Sequence, residues 1–100
     1  MSRREPEFTL GIEEEYLLVD RETRSLVVDP PQSFLSECEA QAEGQVSSEL
    51  LRSQIEVGTR VCRNIAEARE DLARLRGIII DTAGDHGLAP IASSTHPFSS

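Results

Sequence analysis

The sequence predicts an α+β fold, an α/β sandwich in which helices cover one face of a mostly antiparallel sheet. Two patterns carry this expectation. From Phe8 to Val19 the chain alternates with period two: Phe8, Leu10, Ile12, Tyr16 and Leu18 point one way, while Thr9, Gly11, Glu13 and Glu15 point the other. That is a strand with one apolar and one acidic face. From Val61 to Ala83, the residues Val61, Ile65, Ala68, Leu72, Leu75, Ile79 and Ala83 recur at three- and four-residue steps, which makes one apolar stripe along a long helix. The element order strand, strand, helix, strand, long helix, strand lets helices cover one sheet face and leaves the acids on the other.

Each element follows from local chemistry. In the first strand Glu14 falls on the apolar side, so it is expected near an edge or reaching past its neighbours to solvent. Asp20 to Arg24 is a polar turn, and Ser25 to Asp29 reads as a returning strand that Pro30-Pro31 stops, giving a hairpin. Phe34, Leu35, Cys38 and Ala42 mark a short helix over Gln32 to Ala42, with Gly44 placed to end it. Between Val46 and Val61 the signals conflict: Glu49 to Arg52 suits a helix, whereas Gln54 to Val61 alternates, so a strand is favoured at least from Gln54. Asn64 with Glu67 forms a capping-box pattern at the start of the long helix, and Gly84 or Gly87 ends it. Leu88 to Ala92 reads as a further buried strand.

Composition narrows the function. A chain of 100 residues, 38% hydrophobic and 28% charged, suits one small globular domain. A net charge of -8 opposes binding to nucleic acid or to an anionic membrane. All ten basic residues are arginine, which reads as coding bias and removes any lysine nucleophile. Cys38 and Cys62 match neither a redox nor a zinc pattern and are expected as free, partly buried thiols. With no apolar run of membrane-spanning length and no apolar stretch after Met1 to Phe8, a cytoplasmic location is expected.

Three segments bear chemistry. In Gly11-Ile12-Glu13-Glu14-Glu15-Tyr16, Glu13 and Glu15 project in parallel beside Gly11. Such a pair is unfavourable alone and favourable around a divalent cation, since magnesium commonly joins one or two carboxylates to nucleotide phosphates. For an isolated Glu-Glu-Glu, a solvated acidic edge is the commoner reading. In Ser48 to Thr59, Glu56 sits between apolar neighbours on the strand face of Gln54. Glu49, seven residues earlier, could join it only across a bulge or turn; otherwise it pairs with Arg52 at the surface. In Ser93 to Phe98, Pro97 holds His96 extended, in a loop at the C-terminal end of a strand. His86, beside Asp85, reads as a surface residue at a helix end.

Taken together, GIEEEYLLVD at 11–20, SELLRSQIEVGT at 48–59 and STHPF at 94–98 resemble the type 2 glutamate-cysteine ligase family of carboxylate-amine ligases, over Phe8 to Phe98. The resemblance implies the N-terminal part of a glutamine-synthetase-like fold, with residues 1–100 one portion of a single catalytic domain that continues past Ser100. It implies Glu13, Glu15, Glu49 and Glu56 as magnesium ligands, with Glu13, Glu15 and Glu56 meeting ATP through the metal. His96 would orient substrate or phosphate as the catalytic residue. The implied reaction is ATP- and magnesium-dependent: a glutamate-like carboxylate is activated as an acyl phosphate and opened by an amino-acid amine to an amide. No Gly-rich phosphate loop is present, so metals and arginines must meet the phosphate charge. The expected partners are these small molecules, with no nucleic acid or membrane, and a homo-oligomer is compatible with the sequence. The rival reading is a non-catalytic acidic metal-binding or structural piece that needs the remainder of the chain; residues 1–100 alone are expected to be inactive.

Overall fold

The computed structural model describes residues 9–48 and 54–99. Strand β1 (Leu10–Asp20) is followed by helix α1 (Gln32–Ala42), strands β2 (Val46–Ser48) and β3 (Gln54–Gly58), helix α2 (Ile65–Asp85) and strand β4 (Leu88–Ser99). The strands form one antiparallel sheet in the order β2-β3-β1-β4, which confirms the α+β class. Tyr16 and Leu18 of β1, Ile55 and Val57 of β3, and Val46 of β2 bury their side chains against Phe34, Cys38 and Ala42 of α1 and Leu72, Leu75, Ile79 and Ala83 of α2. Both helices therefore cover the same face, and the alternate residues of each strand stand on the other.

Local chemistry sets the boundaries. The Asn64 side chain accepts a hydrogen bond from the Glu67 N–H at 2.9 Å, starting α2 as the capping pattern requires. Gly44 and Gly87, at φ 77° and 71°, take the left-handed backbone that ends α1 and α2. The stripe of α2 is buried from Ala68 onward, but Ile65 is 52% exposed and Val61 54%. Val61 precedes the helix and Ile65 is its first residue, so neither reaches the sheet as the stripe implied. Both cysteines are free and buried, Cys38 completely and Cys62 with 6% exposure, and burial pushes the Cys38 thiol up to about 11.

Two strand expectations need correction. Ser25 to Asp29 forms no strand; it returns beside β1 through a single bridge, Val19 to Leu26. The reason is space, because β3 occupies that edge of β1 from the Leu17–Gln54 pair onward. Conversely, the strand expected over Leu88 to Ala92 runs on to Ser99 and absorbs the segment taken as a loop. It lies at the sheet edge, where Ile91 is 51% exposed. Pro90 and Pro97 stand opposite Leu18 and Ile12, whose carbonyls accept from Val27 and Thr59 on the far side of β1. Their nitrogens thus face the free edge, where a strand tolerates proline.

Candidate functional site

The register brings the candidate residues onto one face. Glu15 stands opposite Glu56 of β3, and Glu13 opposite His96 of β4. Directly opposed residues of antiparallel strands share a face, with Cβ atoms roughly 5 Å apart. Glu13, Glu15, Glu56 and His96 therefore line the face away from the helices. His96 Nε2 lies 3.9 Å from Glu13 Oε2, with both side chains about half exposed. Glu49, the fourth expected ligand, lies outside the described residues, as does Arg52. Among the described residues no three His, Cys, Asp or Glu side chains converge closely enough to hold a metal ion.

Gly11 continues this face one position beyond Glu13 and is paired with Phe98. The Phe98 ring lies over it so closely that a Cβ on Gly11 would sit 2.2 Å from the ring tip. The space left by the missing side chain is thus filled by an aromatic wall at the end of the acidic row.

Glu14 is where the sequence reading fails. Expected near solvent, it is 1% exposed on the helix side, because Arg76 of α2 reaches down to it. The guanidinium grips both carboxylate oxygens, at 2.7 and 2.6 Å, in a bidentate fork. The Tyr16 hydroxyl and the Thr95 hydroxyl, the latter at 2.5 Å, also donate to Glu14. The Arg76 hydrogen bond, opposed by burial, holds the carboxyl down at about 2, so Glu14 is charged at every physiological pH. Burial and then the Glu14 carboxylate push the Tyr16 hydroxyl above its usual range. The available signal was Arg76, three residues before Ile79 of the stripe: an arginine beside the buried face of a helix can reach a carboxylate that stands among apolar strand residues.

A second buried carboxylate escaped the sequence reading altogether. Asp71 of α2 is 7% exposed and accepts from the Arg60 N–H at 2.8 Å, Gln45 Nε2 at 2.9 Å and Arg74 Nε at 3.0 Å. Gln45 also donates to the Gly58 carbonyl at 3.1 Å, so this cluster ties α2 to the end of β3 and to the turn before β2.

An antiparallel sheet with helices on one face and aligned carboxylates on the other defines an α+β protein with an oxygen-donor face, suited chemically to hard cations. The family model for glutamate-cysteine ligase family 2 (GCS2) matches residues 9–100, and the chain belongs to that family. It is 54% identical over 99 residues to a protein of Rhodospirillum rubrum and 58% identical over 94 residues to one of Ruegeria pomeroyi. A relative from Chloroflexus aggregans is 46% identical over 99 residues. All three carry the name "Putative glutamate--cysteine ligase 2". The matches cover 95%, 94% and 93% of this chain but 25%, 24% and 24% of those proteins, so the chain spans about a quarter of their length. Among the described residues no helix is long and apolar enough to cross a membrane.

Proposed function

We propose that the protein is a carboxylate-amine ligase of the glutamate-cysteine ligase kind, dependent on ATP and magnesium, and that the acidic face is its cation-binding side. Family membership supports the ligase class. The observation that carries the assignment of this face is the register, which aligns Glu13, Glu15 and Glu56 in adjacent strands with His96 beside them. Their oxygen atoms are the donors that magnesium prefers. Glu49 is the proposed fourth ligand. When bound, magnesium would neutralise phosphate charge and polarise the transferred phosphoryl group.

The chain's own residues then hold and orient. Glu13, Glu15 and Glu56 present their charge on one rigid sheet, His96 donates to or orients a phosphate or the substrate carboxylate, and Phe98 closes one end of the row. In the reaction, the side-chain carboxylate of a glutamate-like substrate attacks the γ-phosphorus of ATP and ADP leaves. The amine of an amino acid then attacks the resulting acyl carbon, its nitrogen releases a proton to solvent or to the departing phosphate, phosphate leaves with the bonding pair, and an amide forms. With ATP, magnesium, glutamate and cysteine, the full-length protein is expected to release ADP and phosphate together with an amide product. Glu15→Gln should lower that turnover by at least about a hundredfold, on the scale of losing a charge stabiliser at a reacting centre. A Glu15→Gln variant that turns over at the parent rate would remove this face from the mechanism.

A further inference from the structure

We propose that Glu14, clamped by Arg76 and Thr95, is the positioning residue of the acidic face, holding β1 and β4 in the register that sets Glu13 beside His96. The inference rests on the cation-site reading above and adds to it a residue that never touches the ligand. Glu14 lies between Glu13 and Glu15 but projects to the opposite side, and it stands directly across from Thr95. The backbone of Ile12 pairs toward Thr59 rather than toward β4, since its N–H donates to Thr59 Oγ1 at 2.8 Å and its carbonyl accepts from the Thr59 N–H at 2.9 Å. By the alternation of an antiparallel ladder, Glu14 also pairs away from β4, so the Thr95 hydroxyl supplies the tie between the strands where the ladder has none.

That tie sits next to an irregularity in the pairing. The register between β1 and β4 shifts between Glu15 and Tyr16, where Ser93 is the extra residue. A slip of one residue there would turn every side chain of the terminal half of β4 to the other face and carry His96 away from Glu13. The Thr95 bond opposes the slip, and the Arg76 fork fixes the carboxylate it depends on to a 21-residue helix. Stability alone does not call for this arrangement, because well-packed apolar residues commonly do as well as a buried ion pair.

The test is the affinity of the full-length protein for Mn2+ alone, measured by electron paramagnetic resonance at a temperature where circular dichroism shows each variant folded. Arg76→Gln separates positioning from simple electrostatics by sign. Removing a positive charge should tighten cation binding if only charge matters, whereas loss of register should weaken it roughly ten- to a hundredfold, as for other residues that orient metal ligands. Thr95→Val removes one hydroxyl from an exposed edge strand, so it keeps the test decisive if Arg76→Gln does not fold; its expected effect is a several-fold loss of Mn2+ affinity. Tighter binding in Arg76→Gln, or unchanged binding in Thr95→Val, would overturn the inference while leaving the cation site standing. A parent protein that takes up no Mn2+ overturns the site and this inference with it.

Discussion

Gly11 and Phe98 show how single residues shape the acidic face. The sequence marks Gly11 as a place without a side chain, but the ring that fills it comes from a segment 87 positions later, and only the β1–β4 register brings the two together. Gly11→Ala should push the half-buried Phe98 ring off the sheet at a cost of about 1 kcal/mol, the low end for overpacking because the ring tip can swing outward. Loss of the ring-current shift on the residue 11 proton, read by NMR, is the expected sign; an unchanged shift would mean that the ring does not lie over this position. Glu14 is the harder case. Its parity was legible, as an acid among apolar neighbours, while its fate was decided by Arg76, 62 positions away. Arginine usage that reads as coding bias has a chemical role here, since lysine could not form the two-pronged grip on the buried carboxylate.

Elements whose signals are local were legible. Helix α1 occupies Gln32–Ala42 as read, and α2 starts at its Asn64 cap, because capping and apolar spacing act within a few residues. The stripe of α2 permits a contrast between its ends. Leu75→Ala, at a fully buried position, should cost about 2–5 kcal/mol, whereas Ile65→Ala, half exposed in the first turn, should stay within about 0.5 kcal/mol. Equal losses in urea denaturation would contradict the packing described. Strand limits were less legible because they depend on neighbours. The Ser25–Asp29 strand fails for want of a free edge on β1, and β4 outruns its expected end because an edge strand accepts Pro90 and Pro97. The same extension turns His96 from a loop residue into a strand residue with a fixed partner.

At the scale of the whole molecule, two buried carboxylates on arginines join the helix layer to the sheet, and the acidic row stands on the opposite face. Burial pushes the Asp71 carboxyl up, but hydrogen bonds from the Arg60 N–H, Arg74 and Gln45 outweigh it and the net shift is downward from 3.8. A carboxyl lowered on folding contributes stability that is present above its unfolded value and lost as pH falls through the folded one. Asp71→Asn should therefore melt below the parent at neutral pH, and the gap should shrink as the pH falls below the ordinary carboxyl value of 3.8. A gap independent of pH would mean that the Asp71 charge adds nothing. The acidic row itself was legible as Glu13 and Glu15, and its partners Glu56 and His96 were legible through resemblance; what sequence could not supply was the register that sets each across from its neighbour. The proposed role of this row is to bind a cation, and the most direct measurement is the melting temperature of the full-length protein with and without magnesium and ATP. Glu15→Gln removes one of two opposed charges, so without magnesium it should melt at or above the parent temperature, through relief of repulsion worth up to about 3 kcal/mol at ~5 Å and an effective dielectric of ~20. Magnesium with ATP should raise the melting temperature of the parent and leave that of the variant nearly unmoved. Equal shifts in parent and variant would contradict the account and leave the row as a solvated acidic surface.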